Sequence, residues 1–409
     1  MTPGRRTLVS PFLWLCLMGG FAIFSSTMSK NPALPLFIKS LGVDEGTLGF
    51  IAAASTVVGI VVSLPAGALS DVWGRRRVIL LSMVVFATAP FLYLLVSAPW
   101  HLVLVRVYHG LATAILGPVA MAAVADTFQQ GRGERMAWYS SATMVGRFLA
   151  PLVGGLLIVG DDFRWVYLGC GVAGTLALLT ALQVSRTMAV PERATDPITT
   201  RRGLHGGWRE MRDELRIVLT HRGILLTSTV EAAQYFAFGA VETFLPLYLR
   251  GLGWEARAIG PLFTVQVMVT TLTKPLMGRL SDRWGRERPI VVGLLAGAAA
   301  VVAMPYQADY WSLAALTALF GLGVATVTAS TSALVSDLSR AASGASLGVL
   351  SSVMDVGHSA GPMVTGLLVS AWGYSGAFGV VAGVLGVLAV AFYVGMRGPE
   401  GRGRATRAR

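Results

Sequence analysis

The chain is poor in charged residues and has almost no cysteine. Only 13% of its 409 residues are Asp, Glu, Lys or Arg, whereas 54% are hydrophobic and the mean hydropathy is +0.65. This composition excludes an ordinary soluble domain and a disordered chain. The two cysteines, Cys16 and Cys170, lie in apolar stretches, so no disulfide framework is expected. The sequence also lacks a nucleotide-binding loop, a metal-ligand cluster and a nucleophilic triad, so we predict no enzyme, no metal and no cofactor.

Twelve apolar stretches, each long enough to cross a bilayer, make up most of the chain. A helix rises about 1.5 Å per residue and the hydrocarbon core is about 30 Å thick, so about 20 apolar residues form one span. We predict helices because lipid offers no partner to exposed backbone groups and no alternating barrel pattern is present. The first stretch is kept as a span rather than a secretory signal because no clean cleavage site follows it. The predicted spans are 8–29, 45–66, 78–98, 100–125, 136–159, 164–184, 223–249, 257–277, 289–307, 310–336, 344–371 and 375–396.

One half of the sequence repeats the other at a constant offset of 211 residues. A motif that begins at Gly67 returns at Gly278, and 278 − 67 = 211. The same shift relates Asp126 to Asp337 without a gap. Duplicated bundles in one orientation build a family of transporter folds around a central site. We therefore predict an all-α membrane protein of 12 transmembrane helices, arranged as two six-helix bundles related by a pseudo-twofold axis along the membrane normal.

The apolar pattern breaks between the two halves. We predict an N-terminal bundle at 1–184, a cytoplasmic linker at 185–222 and a C-terminal bundle with a basic cytoplasmic tail at 223–409. The linker carries eight arginines, and its later part fits either an amphipathic helix on an anionic leaflet or a solvated connector.

The basic residues are distributed unevenly along the chain. The formal net charge is +12, which by itself invites a nucleic-acid partner. On the predicted topology, however, about 25 of the 33 basic residues fall on one side of the membrane. This bias places both termini in the cytoplasm, predicts a multi-pass protein of the inner cell membrane, and argues against nucleic-acid binding.

The repeated motif resembles the loop between spans two and three of the major facilitator superfamily. It reads Gly-x-x-x-Asp-x-x-Gly-Arg-Arg at 67–76, and its copy at 278–286 lies between spans eight and nine. The resemblance covers essentially the whole chain and implies a latch at each site, in which the acid docks on the other half and the arginine meets an acid at the end of a span. The alternative is that these residues only fold the loop and set the topology. The cytoplasmic-gate residues so implied are Gly67, Asp71, Gly74, Arg75, Asp126, Gly278, Asp282, Gly285, Arg286 and Asp337.

Spans four and five carry two further elements that resemble this family. Arg106 and Gly110 match an Arg-x-x-x-Gly element implicated in proton coupling, although a structural ion pair is the alternative for this arginine. Span five resembles the Gly-Pro-x-x-Gly-Gly element of the family's antiporters, which implies the 12-span drug:proton antiporter branch. Small residues there allow close helix approach and proline allows a bend. Ser26 stands where drug exporters of the family usually have an acid. The predicted helix-packing residues are Gly146, Pro151, Gly154, Gly155, Gly357, Gly361 and Pro362.

Three acids lie inside predicted spans and are candidates for carrying a coupling proton. Carboxyl groups within a membrane are costly, and they commonly mark ion pathways. Glu231 ranks first, Asp355 second and Glu242 third, with Arg106 as an accessory group. Asp355 and His358 are three residues apart on one helix and are predicted to form one hydrogen-bonded unit. For each acid the alternative is a static ion pair with Lys30, Arg106 or Arg147.

The remaining polar and aromatic residues within spans are candidates for a substrate cavity between the halves. We predict proton-coupled export of small amphiphilic organic compounds by alternating access, with protons, substrate and the lipid bilayer as partners and the monomer as the working unit. The alternative is uptake of a sugar, carboxylate or other polar metabolite by proton symport. A membrane receptor or scaffold that transports nothing is a third possibility. The cavity candidates are Lys30, Asn31, Tyr108, His109, Arg147, Gln234, Tyr235, Phe238 and His358.

Overall fold

The computed structural model describes residues 10–128, 131–187, 221–338 and 343–396. Most of the predicted linker, including its possible amphipathic helix, and the tail after residue 396 lie outside these ranges. The helices are α1 Pro11–Met28, α2 Ala33–Ser40, α3 Glu45–Trp73, α4 Arg75–Tyr93, α5 Pro99–Thr127, α6 Arg132–Leu157, α7 Arg164–Thr187, α8 Arg222–Gly251, α9 Ala256–Trp284, α10 Glu287–Ala303, α11 Tyr310–Leu338 and α12 Ser343–Met396, with a 3₁₀ turn at Met304–Tyr306.

These helices provide twelve crossings of a membrane. Ten stretches within the described residues are long and apolar enough to span a bilayer by length and composition. The last of them contains two spans, because Gly373 has a φ of 69° and a ψ of 178° and so interrupts α12. The remaining crossing is α9, whose 29 residues are long enough to span although they are more polar. The number of crossings therefore agrees with the prediction.

The first crossing is longer than predicted and is broken in the middle. Its predicted end was residue 29, but the chain continues from α1 through Lys30–Asn31–Pro32 into α2, which ends at Ser40. Pro32 has no N–H group to donate, so it fits the start of a helix and disturbs the interior of one. Lys30 and Asn31 therefore lie within the crossing and not at its end.

α3 and α9 also run past their predicted ends, residues 66 and 277. Both helices stop at repeat-related glycines: Gly74 has a φ of 88° and Gly285 a φ of 83°. A positive φ ends an α-helix and favours glycine, which has no Cβ. Hydropathy marked where each helix leaves the hydrocarbon, whereas the backbone hydrogen bonds continue to the glycine.

The two halves pack in the same way. In the first half, α1 packs on α6, α3 on α5, and α4 on both α5 and α7. In the second half, α8 packs on α12, α9 on α11, and α10 on both α11 and α12. The helices that correspond by the 211-residue shift therefore make corresponding contacts, as a duplicated bundle requires.

The halves contact each other through α3 with α12 and through α6 with α9. We call the end at which α3 begins the outer end, after the predicted topology. There a Cβ on Gly49 would lie 2.1 Å from the carbonyl oxygen of Pro362, and one on Gly260 would lie 2.4 Å from that of Pro151. Glycine is required at both positions because a side chain would collide with the opposite backbone. The halves are therefore closely packed at the outer end.

Candidate functional site

Ionisable side chains from both halves meet near the middle of the spans. The first half contributes Lys30, and its charge interacts with those of Glu242 and Asp355 from the second half. The same lysine interacts with Arg106 and Arg147 of its own half. Arg147 is exposed although it lies in mid-span, so it borders a space between the helices. We call this space, closed at the outer end by the packed halves, the central cavity.

Glu242 is hydrogen-bonded to His358 and forms no ion pair with an arginine among the described residues. Its Oε2 lies 3.0 Å from Nε2 of His358, which joins α8 to α12, and both side chains keep partial exposure. The prediction that Asp355 and His358 form one hydrogen-bonded unit is wrong. The register between two packed helices brings Glu242 to the histidine, while Asp355 is left to interact with Lys30 and His358 through charge alone.

Glu231 is held in a different environment. It is 4% exposed and accepts a hydrogen bond from the hydroxyl of Thr331 on α11. Lys274 of α9 is its electrostatic partner, and Arg147 is the next charge beyond. The alternatives proposed from the sequence, Lys30, Arg106 or Arg147, therefore omitted the actual neighbour. A lysine in a span was a visible signal, but only the packing of α8 and α9 pairs it with Glu231.

Arg106 is buried, with a 2% exposed side chain, and is incompletely paired. Its Nη2 donates to the carbonyl oxygen of Ala52 over 2.5 Å. Within the described part of the chain, Nε and Nη1 have no hydrogen-bond acceptor of good geometry, and the neighbouring polar side chain is the phenol of Tyr93 rather than a carboxylate. A guanidinium in a membrane interior is costly unless it is paired or hydrated. The charge of Arg106 acts on that of Lys30.

The aromatic candidates divide into two groups. Tyr235 and Phe238 of α8 lie beside His358, with ring centroids 6.3 and 5.5 Å from the imidazole, so they are placed to line the central cavity. Tyr108 instead faces α4, where its hydroxyl lies 2.9 Å from Oγ1 of Thr88. Tyr108 therefore does not line the predicted cavity, because its side chain points from α5 toward the neighbouring helix α4.

Three other cavity candidates are buried inside their own halves. His109 is 1% exposed and its Nδ1 lies 3.4 Å from the hydroxyl of Tyr93. Gln234 is fully buried, and Asn31 is 4% exposed. Both have amide atoms without a partner in the described ranges. These side chains do not face an open space, so the prediction that they line the cavity is not supported by their positions.

The predicted gate residues form matching ion pairs at the inner end, opposite the outer one. Nε of Arg75 lies 2.8 Å from Oδ2 of Asp126. In the second half, Nε of Arg286 lies 3.0 Å from Oδ2 of Asp337, and Asp282 is a further partner. The side chain of Asp71 lies outside the described atoms. Each arginine thus links the loop to the end of span four or ten, and its role as a latch stays a prediction.

The predicted helix-packing residues lie at close helix crossings. A Cβ on Gly146 would lie 2.4 Å from the carbonyl oxygen of Gly20, and one on Gly154 would lie 3.1 Å from the side chain of Met28. Two positions in α12 are as tight. A Cβ on Gly357 would lie 2.1 Å from a backbone carbonyl oxygen of α8, and one on Gly361 would lie 2.2 Å from another. The small residues therefore bring α6 against α1 and α12 against α8.

Comparison with known proteins places this architecture among membrane transporters. The sequence model of the Major Facilitator Superfamily matches residues 15–269 and 228–409. The multidrug resistance protein MdtG of Citrobacter koseri is 26% identical over 384 residues, which cover 91% of each chain. A mutant of the nucleoside transporter NupG has a TM-score of 0.80 at 14% identity and covers 95% of this chain and 100% of its own. A bacterial homologue of the human lysosomal transporter Spinster, in an inward-facing and occupied conformation, has a TM-score of 0.77 at 17% identity. The match covers 94% of this chain and 96% of the homologue.

The fold and the cavity define a multi-pass membrane transporter that acts on small molecules, not an enzyme. The two matched segments together cover nearly the whole sequence. The chain belongs to the Major Facilitator Superfamily, with relatives in its drug antiporter branch. The predicted fold of two six-helix bundles is confirmed.

Proposed function

We propose that the chain is a proton-coupled exporter of small amphiphilic organic compounds that works by alternating access. The observation that carries the proposal is the set of charges shared by both halves: Lys30 of the first half interacts with Glu242 and Asp355 of the second. Rocking of the halves would separate these charges, so a proton or a substrate that changes them biases one state over the other. The likeness to multidrug resistance proteins supports export.

Within this proposal the second half carries the proton. Glu231 is the first candidate because it is buried with a single hydrogen-bond donor and a lysine that can compensate its charge. Glu242 with His358 is a second titratable unit, open to the cavity. The inner ion pairs of Arg75 and Arg286 stabilise the loops that close the inner end. The protein works as a monomer in the inner cell membrane, with both termini in the cytoplasm.

Everted vesicles with an imposed inside-acid pH gradient test the proposal. The substrates are a panel of amphiphilic compounds offered in matched anionic, neutral and cationic forms. Export predicts accumulation of a compound inside the vesicles that contain the protein, and dissipation of the gradient by an uncoupler should abolish it. Gradient-driven loss of a preloaded compound from the vesicles would contradict export and support uptake into the cell. Movement in neither direction, with the protein folded and inserted, would reject the transport proposal.

One observation favours the second candidate, uptake of an anionic metabolite by proton symport. Lys30 is the counter-charge of both Glu242 and Asp355. An anion that neutralises Lys30 removes one cation that acts on both carboxylates, which favours proton binding in the same state. Anion and proton would then cross together, as symport requires. The vesicle experiment separates the two candidates by the direction of flux.

A further inference from the structure

The charges of the central cavity are divided between the halves. Lys30, Arg106 and Arg147 lie in mid-span in the first half, whose acids all lie at helix ends or in loops. The second half contributes three mid-span acids and one base, Lys274. The acids are Glu231, Glu242 and Asp355. Together these residues carry four positive and three negative formal charges, a surplus of one positive charge.

The positive charges of the first half are also the poorly satisfied ones. Arg106 has two nitrogen atoms, Nε and Nη1, with no acceptor of good geometry in the described ranges, although its side chain is buried. The charge of Lys30 interacts most strongly with that of Arg106, and Arg147 is a second cation that acts on it, so the acids Glu242 and Asp355 do not surround it alone. Like charges in a poorly solvated space repel strongly. An anion placed beside Lys30 and Arg147 would relieve this repulsion.

We propose that the transported compound carries an anionic group, a carboxylate, sulfonate or phosphate, that binds the cationic face formed by Lys30 and Arg147 of the first half, with the buried Arg106 adding its charge to that of Lys30. Guanidinium groups suit this role because they bind oxyanions with paired N–H donors. The apolar part of the compound would then lie toward Tyr235 and Phe238 of the second half. This inference rests on the proposed transport function and holds for either direction of flux. For export, the inside-negative membrane potential contributes about 2.3 kcal/mol of driving force per negative charge per 100 mV, because it pushes anions out of the cell.

The sign of the potential on this face is measured with a cysteine reporter and two thiol reagents of opposite charge. Met144 is exposed and lies one turn before Arg147 on α6, with its sulfur 3.8 Å from Oγ1 of Thr271 on α9. Met144→Cys is made in a background in which Cys16 and Cys170, both free and buried, are replaced by Ala. The reagents are methanethiosulfonates that bear a sulfonate or a trimethylammonium group, and their rates are compared with those for free cysteine.

The sulfonate is expected to react faster than the ammonium at Met144→Cys by about fivefold or more, after correction for free cysteine. Arg106→Gln and Lys30→Gln should each reduce this preference. Lys39→Gln is the matched control, because Lys39 pairs with Glu45 at the outer end and should leave the preference unchanged. Lys30→Gln keeps the test valid if the arginine variant does not fold.

A preference for the ammonium reagent, or a sulfonate preference that neither variant reduces, would overturn the inference. The outcome does not depend on transport, so it is distinct from the outcome of the vesicle experiment. If the vesicles move only cationic forms of the panel, the transport proposal stands and the anionic substrate is rejected. If the vesicles move only the anionic forms, the transport proposal and the anionic substrate are both supported.

Discussion

Replacing Glu231 with Gln is expected to reduce proton-gradient-driven transport by about 100-fold while leaving substrate counterflow within about threefold of the wild type. Gln keeps an oxygen that can accept the hydroxyl of Thr331, so the contact between α8 and α11 is retained. It cannot bind and release a proton, which removes the coupling step. Gradient-driven flux and counterflow are measured in the same proteoliposomes, because counterflow needs no net movement of protons.

Two variants control this experiment. Glu255→Gln changes an exposed acid that pairs with Arg257 at the outer end, and it should transport like the wild type. The double variant Glu231→Gln with Lys274→Gln removes the lysine that the first change leaves without a partner. It should remain uncoupled, since restoring the charge balance does not restore a proton site. Full coupled transport by Glu231→Gln would remove Glu231 from the mechanism.

Replacing Gly155 with Leu is expected to reduce transport at least about fivefold by opposing closure of the outer end. A Cβ at this position would lie 2.6 Å from the carbonyl oxygen of Ala256 and 3.0 Å from Cα of Gly260. Overpacking costs about 1–3 kcal/mol, and because 1.4 kcal/mol is tenfold, the closed state should lose about 5- to 150-fold in population. Initial rates of substrate flux in either direction measure the effect.

The matched control is Gly379→Leu on α12, where no atom lies within 4 Å of an added Cβ. It makes the same change of volume and hydrophobicity in a membrane helix, so it should leave transport unchanged. A Gly155→Leu variant that transports at the wild-type rate would show that α6 and α9 need not meet in the transport cycle.

Much of the architecture could be predicted from the repeat. Gly74 and Gly285 end their helices with nearly the same φ, and Arg75 and Arg286 meet repeat-related acids. These features are local in sequence or fixed by the duplication, so a shift of 211 residues identifies both copies. The break at Pro32 was missed because apolar length alone placed the end of the span.

The composition of the candidate site was less predictable. The sequence showed which ionisable residues lie in spans, and burial in a membrane made them candidates. It could not show that Glu242 meets His358 or that Lys274 meets Glu231, because the rotation of each helix about its axis and its register against a neighbour are set by packing across spans. Tyr108 was misplaced for the same reason.

Distances between spin labels across the two ends test alternating access most directly. One pair replaces Leu95 and Tyr306, which are exposed at the outer end and related by the repeat, since 306 − 95 = 211. The other replaces Arg77 and Arg288, which are exposed at the inner end and related by the same shift. As the pH is lowered, the two distances should change in opposite directions, and Glu231→Gln should weaken this response. Distances that stay fixed, or that lengthen and shorten together, would contradict rocking of the halves about the shared charges.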